Sequence, residues 1–331
     1  MVRSNLVSIS VGYPNLFNVK LTNTQNVDTP SPFQQMLQLP VSQLQSYTPI
    51  LASDLHNIRF VYNGTGIPAW LESISNGTAT IWVKLPVSIP ANSSITIDME
   101  VDPSLNFDGN YWGEAPQLSP TYAQYDDGAN VFPFYVNFAG TSAPSNITTL
   151  GTATSFNNGA TLSAGDFFET NSKVYNTQTQ ILDAYISSIT YGTSGDNAGI
   201  SFVVDPSGNQ YTLTPHYVAI GTGGGQFYSG ILNQFSTSSD FGTVSVNSGN
   251  YTGSGSLTTS TGIWSLWATS SASYGSINYG SPLTVTSNIP PAGSYYIMAG
   301  ASSGASTVTY QWVRVRAYPP NGVMPSVEVI A

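Results

Sequence analysis

Nearly every apolar stretch of this chain alternates apolar and polar residues with a period of two. These stretches end at Gly, Asn, Pro or Asp, as half-buried β-strands do. Examples lie at residues 80–85, 94–101, 199–204, 295–299 and 308–315. Helical spacing is confined to residues 41–47, with a turn at 53–56. The alternation predicts an all-β fold of two jelly-roll-like β-sandwich domains in series, with little helix.

Glycine and proline interrupt the strand pattern after Asp102. We therefore expect a first β-sandwich at residues 1–103, a linker at 104–124 and a second β-sandwich at 125–331. Trp82 and Trp312 each lie inside an alternating strand. We expect each of them to anchor a different hydrophobic core.

The charge content excludes several classes of function. Seven Lys and Arg stand against 17 Asp and Glu, and charged residues make up 7% of the chain, whereas a globular protein carries about 25%. Nucleic-acid binding through a basic patch is excluded. Cysteine is absent, which rules out disulfides, zinc–thiolate sites and iron–sulfur clusters. No apolar run reaches the length of a membrane span.

Neutral side chains replace the missing charge, with 31 Gly, 21 Pro and 20 Tyr among many Ser, Thr and Asn. A surface of hydroxyls and amides keeps its hydrogen bonds when external acid protonates carboxylates. We therefore expect an extracellular location. Residues 1–9 lack the apolar core of a signal peptide. Either a signal was removed or the chain leaves its cell by another route, such as a virus particle released by lysis.

Four motifs occur in one order within residues 17–103. They are DLHNIRF at 54–60, IPAWLE at 67–72, ATIWVKLP at 79–86 and IPA at 89–91. This order resembles domain of unknown function 2341, a family of extracellular proteins of archaea and bacteria. The chain departs from the family pattern after the last strand, where Val101-Asp102-Pro103 stands in place of the tyrosine and glycine that often follow in the family.

Proteins of that family often continue into a sandwich similar to concanavalin A and laminin-G domains. Residues 125–138 look like the opening of such a domain, and residues 311–318 look like its closing strand. The segment 29–36 is similar to surface proteins of hyperthermophilic archaea and their viruses. The resemblance implies an architecture and a location, but no reaction.

The most enzyme-like motif places Asp98, Glu100 and Asp102 on one face of a strand. A solvated face is the favoured interpretation, with a cation site and a glycosidase carboxylate pair as alternatives. Acids of the second domain form no Glu-x-Asp-x-Glu motif, and neither histidine belongs to a nucleophile motif. We therefore expect no catalytic residue and no enzymatic activity.

Two neighbouring segments are candidate ligand contacts. Tyr111 and Trp112 lie in the Gly- and Pro-rich linker and could stack on sugar rings, as could Trp264 and Trp267. Asp126 and Asp127 form an oxygen-rich turn that is either plain turn chemistry or a calcium site. Asp166 and Glu169 are candidate partners for such a calcium ion, and no other cofactor is expected.

Asn-x-Ser/Thr sequons mark five candidate glycosylation sites, at Asn63, Asn76, Asn92, Asn146 and Asn250. The pairs Asn63-Gly64 and Asn76-Gly77 also predict tight hairpin turns.

The leading hypothesis is a non-enzymatic exterior protein for structure, attachment or adhesion on an archaeal virion or cell surface, with glycan binding. Alternatives are a carbohydrate-active hydrolase on the concanavalin-like domain and a subunit of an extracellular archaeal filament. Expected partners are copies of the chain, other surface or virion subunits, and cell-surface glycans. Residues 6–11 and 327–330 alternate near the two termini. Each either pairs within its own domain, which we favour, or completes a neighbour's sheet.

Overall fold

A computed structural model describes residues 16–150, 154–163, 166–190, 198–203, 216–220, 227–231, 261–286, 289–301 and 307–330. Strands dominate these ranges, and the helices are α1 (Val41–Tyr47), α2 (Gly128–Val131) and a 3-10 turn at Pro320–Gly322. The all-β prediction is confirmed, and α1 forms where helical spacing indicated it. None of the helices in these ranges is long enough to cross a bilayer.

The first sandwich contains β1 (Leu16–Asn23), β2 (Phe33–Pro40), β3 (Ile58–Tyr62), β4 (Thr65–Ile67), β5 (Ala69–Ser75), β6 (Thr78–Leu85), β7 (Ser93–Val101) and β8 (Trp112–Glu114). One sheet has the strand order β1-β7-β3-β4 and the other β2-β6-β5-β8. All neighbours are antiparallel except β5 and β8. Alternate side chains of both sheets, such as Phe17 and Val19 of β1 with Ile81 and Val83 of β6, form one apolar core.

Two hairpins set the register of the first sandwich. Asn63 and Gly64 have φ angles of 48° and 76°, and Asn76 and Gly77 have φ angles of 50° and 76°. Positive φ at both central residues is the requirement of a two-residue hairpin turn that matches strand twist. The predicted turns are confirmed, and they join β3 to β4 and β5 to β6.

The second sandwich contains β9 (Phe134–Asn137), β10 (Ile147–Leu150), β11 (Ser155–Phe156), β12 (Ala160–Ser163), β13 (Phe167–Thr170), β14 (Tyr175–Asn176), β15 (Gln180–Thr190), β16 (Ala198–Val203), β17 (His216–Ile220), β18 (Phe227–Ile231), β19 (Gly262–Ala268), β20 (Ser273–Ile277), β21 (Leu283–Val285), β22 (Ser294–Ala301) and β23 (Thr307–Ala317). The larger sheet has the order β11-β12-β23-β15-β19-β20-β21, with β9 also on β23. The other sheet runs β10-β13-β22-β14, with β16 also on β22, and β17 pairs with β18. Residues of the two larger sheets, including Leu182, Trp264 and Ile297, share a core.

Two segments belong to the first sandwich although the predicted domain ranges placed them outside it. The proposed linker contains β8, which pairs with β5 and carries the buried Trp112 into the first core. The last strand, β24 (Ser326–Ile330), pairs with β1 and extends the first sandwich, although its residues were assigned to the second. Its alternating residues therefore find a partner strand within the same chain. Residues 6–11 lie outside the described ranges.

The expectation of separate anchors for Trp82 and Trp312 is wrong. Both side chains are fully buried, and both belong to a third apolar cluster between the two sandwiches, together with Trp70, Phe132 and Ile263. Trp82 and Trp312 lie on the faces of their sheets opposite to the cores, where the sheet β2-β6-β5-β8 packs against the β23-β15-β19 part of the larger sheet. Strand alternation reports that a face is covered, but it does not identify what covers it.

Candidate functional site

The third cluster, between the sandwiches, surrounds a fully buried arginine. The guanidinium carbon of Arg314 lies 4.5 Å from the ring centroid of Trp82 and 4.7 Å from that of Trp312. Trp70 packs edge-on against Trp312, with ring centroids 5.4 Å apart. Aromatic faces attract a cation strongly where water is excluded. Arg314, on β23, is therefore held by aromatic rings from both sandwiches.

Buried carboxylates complete the charge balance of this cluster. Arg314 contacts Glu72 at 2.8 Å and Asp183 at 2.9 Å, and Arg316 contacts Asp183 at 2.7 Å. Burial alone would raise the pKa of Asp183, but the two guanidinium groups hold it below its usual range. Burial alone would lower the pKa of Arg314, but Tyr279, Glu72 and Asp183 hold it above its usual range. Two cations and two anions are thus paired out of solvent, as buried charges require.

Irregular strand pairing places side chains at the edge of this cluster. The β5–β6 register shifts between Leu71 and Ser73, so Glu72 is the extra residue of a bulge. The β15–β23 register shifts twice between Tyr185 and Ser188. A bulge bends a strand and re-aims its side chains. Both sandwiches therefore carry bulges beside the Arg314 cluster.

A cleft of about 600 Å³ opens at that place. Three aromatic rings contribute to its wall, those of Tyr185, Tyr279 and Trp312. Most of the remaining lining is hydroxyl or amide: Gln38, Ser73, Ser75, Thr80, Gln117, Ser187, Thr261 and Asn278. Glu72 is the one ionisable carboxylate among the lining residues that the structure describes, and no Lys, Arg or His accompanies it there.

Tyr279 reaches the cleft from a constrained turn. Asn278 and Tyr279 have φ angles of 51° and 58°, a region that is uncommon for residues other than glycine. The Asn278 side chain accepts a hydrogen bond from the Ile263 amide at 2.9 Å. Gly262 has a φ angle of 122°, and a Cβ atom there would lie 2.3 Å from the same oxygen, so glycine is needed at this position. The turn holds the Tyr279 hydroxyl against Glu72.

The predicted ligand contacts Tyr111 and Trp112 have different environments. Trp112 is 1% exposed, packs in the first core and donates its indole N–H to the Leu55 carbonyl at 2.9 Å. Tyr111 is 47% exposed. Trp264 lies in the second core, and Trp267 stacks on Tyr274 with ring centroids 5.2 Å apart. The sequence suggested these four side chains as ligand contacts, but none of them lines the cleft.

Asp126 is a hydrogen-bond acceptor within the structure. Its oxygens accept hydrogen bonds from Trp70 at 2.8 Å, from Tyr135 at 2.7 Å, and from the side chain of Asn137 and the amide of Gly128. Burial raises the pKa of Asp126, although these donors oppose the change. The carboxylate joins the first sandwich to β9.

Asp127 has a different position from its neighbour. It is 1% exposed and precedes α2, where one oxygen accepts from Asn130 and the other has no partner among the described residues. Burial raises its pKa to about 7. No group of three or more His, Cys, Asp or Glu suited to a metal occurs in the described ranges. The structure therefore does not bring Asp166 and Glu169 into a ligand set with these aspartates, and calcium binding stays a prediction.

The carboxylate row on β7 and the sequons lie on outer surfaces. Glu100 pairs with Arg59 across the strands, and Asp102 is exposed. The candidate glycosylation sites Asn63, Asn76, Asn92 and Asn146 are all exposed, whereas Asn250 is outside the described ranges. Modification of these sites stays a prediction.

Sequence reasoning missed Glu72, Tyr185, Tyr279 and Arg314 as site residues. One signal was available for Arg314, because two of the seven cations of the chain, Arg314 and Arg316, stand two apart in an apolar strand. A second was the carboxylate of Glu72 within the apolar β5. Tyr185 and Tyr279 had no such signal, because 20 tyrosines are spread over the chain.

Comparison with known proteins gives one family match and one related viral protein. A model described as domain of unknown function DUF2341 matches residues 54–106. This bears out the resemblance for that segment. Uncharacterized protein 562 of Sulfolobus islandicus rod-shaped virus 1 is 41% identical over 153 residues, which are 45% of this chain and 26% of that protein. The chain thus spans about a quarter of its viral relative.

Several solved structures have a similar sandwich. An endo-1,3-β-glucanase from Streptomyces sioyaensis is 10% identical, with a TM-score of 0.39, covering 56% of this chain and 95% of the enzyme. A β-glucanase of Bacillus licheniformis is 12% identical, with a TM-score of 0.39, covering 55% and 97%. A Crh5 transglycosylase in complex with NAG is 13% identical, with a TM-score of 0.38, covering 59% and 86%.

These neighbours correct one expectation. The prediction that the chain has no enzymatic activity is contradicted, because the solved structures similar to it include glucanases and a transglycosylase. At 10–13% identity the likeness concerns the fold. The fold is the jelly-roll type of sandwich that the sequence predicted.

Proposed function

We propose that this chain is an exterior protein of an archaeal virion or cell surface that recognises glycans in the cleft between its two sandwiches. The single observation that carries the proposal is the lining of that cleft. Aromatic faces complement the C–H faces of sugar rings, while hydroxyl and amide groups exchange hydrogen bonds with sugar hydroxyls. Tyr185 supplies a partly exposed ring beside Ser73, Ser75 and Ser187, and the buried Trp312 lies behind it, 5.8 Å away between ring centroids.

The exterior location has separate support. Charged residues are 7% of the chain, so its surface depends on neutral hydrogen-bonding groups. A relative that is 41% identical over 153 residues is a viral protein. Attachment and assembly are the tasks that such a surface protein would perform, with other virion or surface subunits as partners.

A glycan-array screen of the full chain tests the proposal. We expect binding to neutral oligosaccharides, lost in Tyr185→Ala and retained in Tyr47→Ala, which removes an exposed tyrosine on α1. Thermal melting checks that each variant folds. If Tyr185→Ala does not fold, Ser187→Trp fills the cleft from an exposed position and serves instead.

Two results would overturn the cleft as the binding site. One is full glycan binding by Ser187→Trp or Tyr185→Ala. The other is loss of binding in Tyr111→Ala alone, which would move the site to the segment before β8. Release of reducing ends is measured in the same samples, because most glycoside hydrolysis uses a pair of carboxylates and Glu72 is one candidate member.

A further inference from the structure

Glu72 has two carboxylate oxygens with different surroundings. The Oε2 atom accepts hydrogen bonds from Trp82 Nε1 at 2.8 Å and from the Tyr279 hydroxyl at 2.5 Å, and it contacts Arg314 at 2.8 Å. Oε1 receives no hydrogen bond from any residue that the structure describes, and it is not among the fully covered unpartnered atoms. Glu72 lines the cleft and is 2% exposed, so Oε1 is the oxygen that can still accept a hydrogen bond from a group in the cleft.

We propose that Glu72 Oε1 is the acceptor that orients a neutral saccharide in the cleft and excludes acidic ones. This inference rests on the proposed function and adds to it the recognising atom and the class of glycan. Oε2 is held by hydrogen bonds from Trp82 of β6 and from Tyr279 after β20, and by the ion pair with Arg314 of β23, so the carboxylate is fixed from both sandwiches. A ligand hydroxyl meets an acceptor that is already in place, and little side-chain entropy is lost on binding.

The charge of the cleft determines which sugars fit. Glu72 is the one charged group in the described lining, and Arg314 behind it is covered by aromatic rings and paired to two carboxylates. A neutral hydroxyl can donate to Oε1 in a charge-assisted hydrogen bond. A uronic acid or sulfate group would bring a second negative charge to this carboxylate, and no Lys, Arg or His is among the described residues that line the cleft. The cleft therefore selects against acidic glycans.

One further acceptor among the described cleft-lining residues lacks a donor. Gln117 lines the same cleft, and its Oε1 has no donor among the described residues. An unpartnered buried acceptor is costly unless a ligand or water satisfies it. Because that oxygen is fully covered, Glu72 Oε1 and not Gln117 is the acceptor that we assign to the ligand.

The substitution Glu72→Gln tests the inference sharply. The Trp82 and Tyr279 donors and the Arg314 cation at Oε2 will hold the carbonyl oxygen of the glutamine, so its NH₂ group takes the place of Oε1. The acceptor becomes a donor, and the negative charge is lost. We expect at least a tenfold loss of affinity for neutral hexose oligosaccharides. The ratio of the affinity for these to the affinity for galacturonic-acid oligomers should become smaller.

The measurement is titration calorimetry of the full chain with cello-, laminari- and manno-tetraose and with tetragalacturonic acid. Glu328→Gln makes the same chemical change at an exposed residue of β24 and is expected to bind as the wild type does. Tyr279→Phe keeps the charge and the ring but removes one donor to Oε2. This variant is expected to bind the neutral oligosaccharides a few-fold more weakly and to keep the preference for neutral over acidic oligosaccharides.

The outcomes separate the two proposals. If the wild type binds none of the neutral probes, or Tyr185→Ala binds them fully, glycan recognition in the cleft is wrong. If the wild type binds and Tyr185→Ala does not, but Glu72→Gln keeps both affinity and selectivity, only the role of Glu72 is overturned. If Glu72→Gln does not fold, unchanged affinity in Tyr279→Phe overturns that role.

Discussion

Asp127 is a residue whose protonation directly affects the stability of the folded protein. Its side chain is buried before α2, and its pKa is raised to about 7. An aspartate in an unfolded chain titrates near pH 4. Between about pH 4 and 7 the folded protein therefore holds a proton that the unfolded chain has released. This group favours the folded state in acid, and its contribution is lost as the pH rises through 7.

The substitution Asp127→Asn should flatten part of this pH dependence. The neutral amide imitates the protonated acid at every pH, so the free energy of unfolding should fall less between pH 4 and 8 than in the wild type. Urea denaturation across that range measures it. Asp98→Asn, at a partly exposed carboxylate of β7, makes the same charge change elsewhere. Parallel curves for Asp127→Asn and the wild type would contradict the burial argument.

Arg314 carries a second residue-scale prediction. Removing one partner of a buried ion pair leaves an uncompensated charge, which costs about 3–5 kcal/mol. Arg314→Leu deprives Glu72 of its cation, whereas Asp183 keeps Arg316. Chemical denaturation should show a loss of that size. Arg59→Leu is the control, because its pair with Glu100 is exposed and should contribute about 1 kcal/mol or less.

At the scale of elements, β8 depends on close contact with the segment that follows it. A Cβ atom on Gly113 would lie 2.3 Å from the Tyr125 carbonyl oxygen and 2.5 Å from the Asp127 Cβ. The Glu114 amide donates to that same carbonyl at 2.9 Å. Only a residue without a side chain lets the chain return so tightly beside the short parallel strand.

The substitution Gly113→Ala should therefore destabilise the protein. Overpacking typically costs about 1–3 kcal/mol, and here both obstructing atoms belong to the backbone or lie next to it. Gly66→Ala in β4 is the matched control, because its Cβ would meet only the Tyr111 ring, at 3.6 Å. Equal midpoints for the two variants in thermal melting would show that the segment around Tyr125 can move aside.

At the scale of the whole molecule, the two sandwiches are joined by side-chain packing and by one strand, β24, that follows the second sandwich in sequence but pairs in the first. The outer faces of the two sheets share the cluster around Arg314, and β24 returns from the second sandwich to pair with β1. We therefore expect the two cores to be coupled through Trp82 on one side and Trp312 on the other.

A double-mutant cycle measures this coupling. Trp82→Leu and Trp312→Leu both remove an aromatic ring that packs on the Arg314 guanidinium. Their effects on the free energy of unfolding should therefore deviate from additivity by about 0.5–3 kcal/mol. Trp82→Leu combined with Trp264→Leu is the control, since Trp264 lies in the second core. That pair should add within about 0.5 kcal/mol. Additivity in both cycles would mean that the sandwiches are energetically independent.

Local pattern by itself determined much of this protein. Period-two alternation predicted the strands, Asn-Gly pairs predicted the two hairpins, and helical spacing predicted α1, because each depends on residues close in sequence. The short motifs likewise indicated the family that matches residues 54–106. Such signals require no knowledge of what covers a strand.

Only the tertiary structure decided where the cleft lies and which side chains form it. Glu72 and Tyr279 are 207 positions apart, and Asp183 and Arg314 are 131 apart. The return of β24 to β1 and the shared position of Trp82 and Trp312 are of the same kind. An alternating strand shows that one of its faces is covered, but the partner of that face is chosen by packing over the whole chain. For that reason the exposed-looking linker held a core tryptophan, while the site formed between two faces whose association no local pattern records.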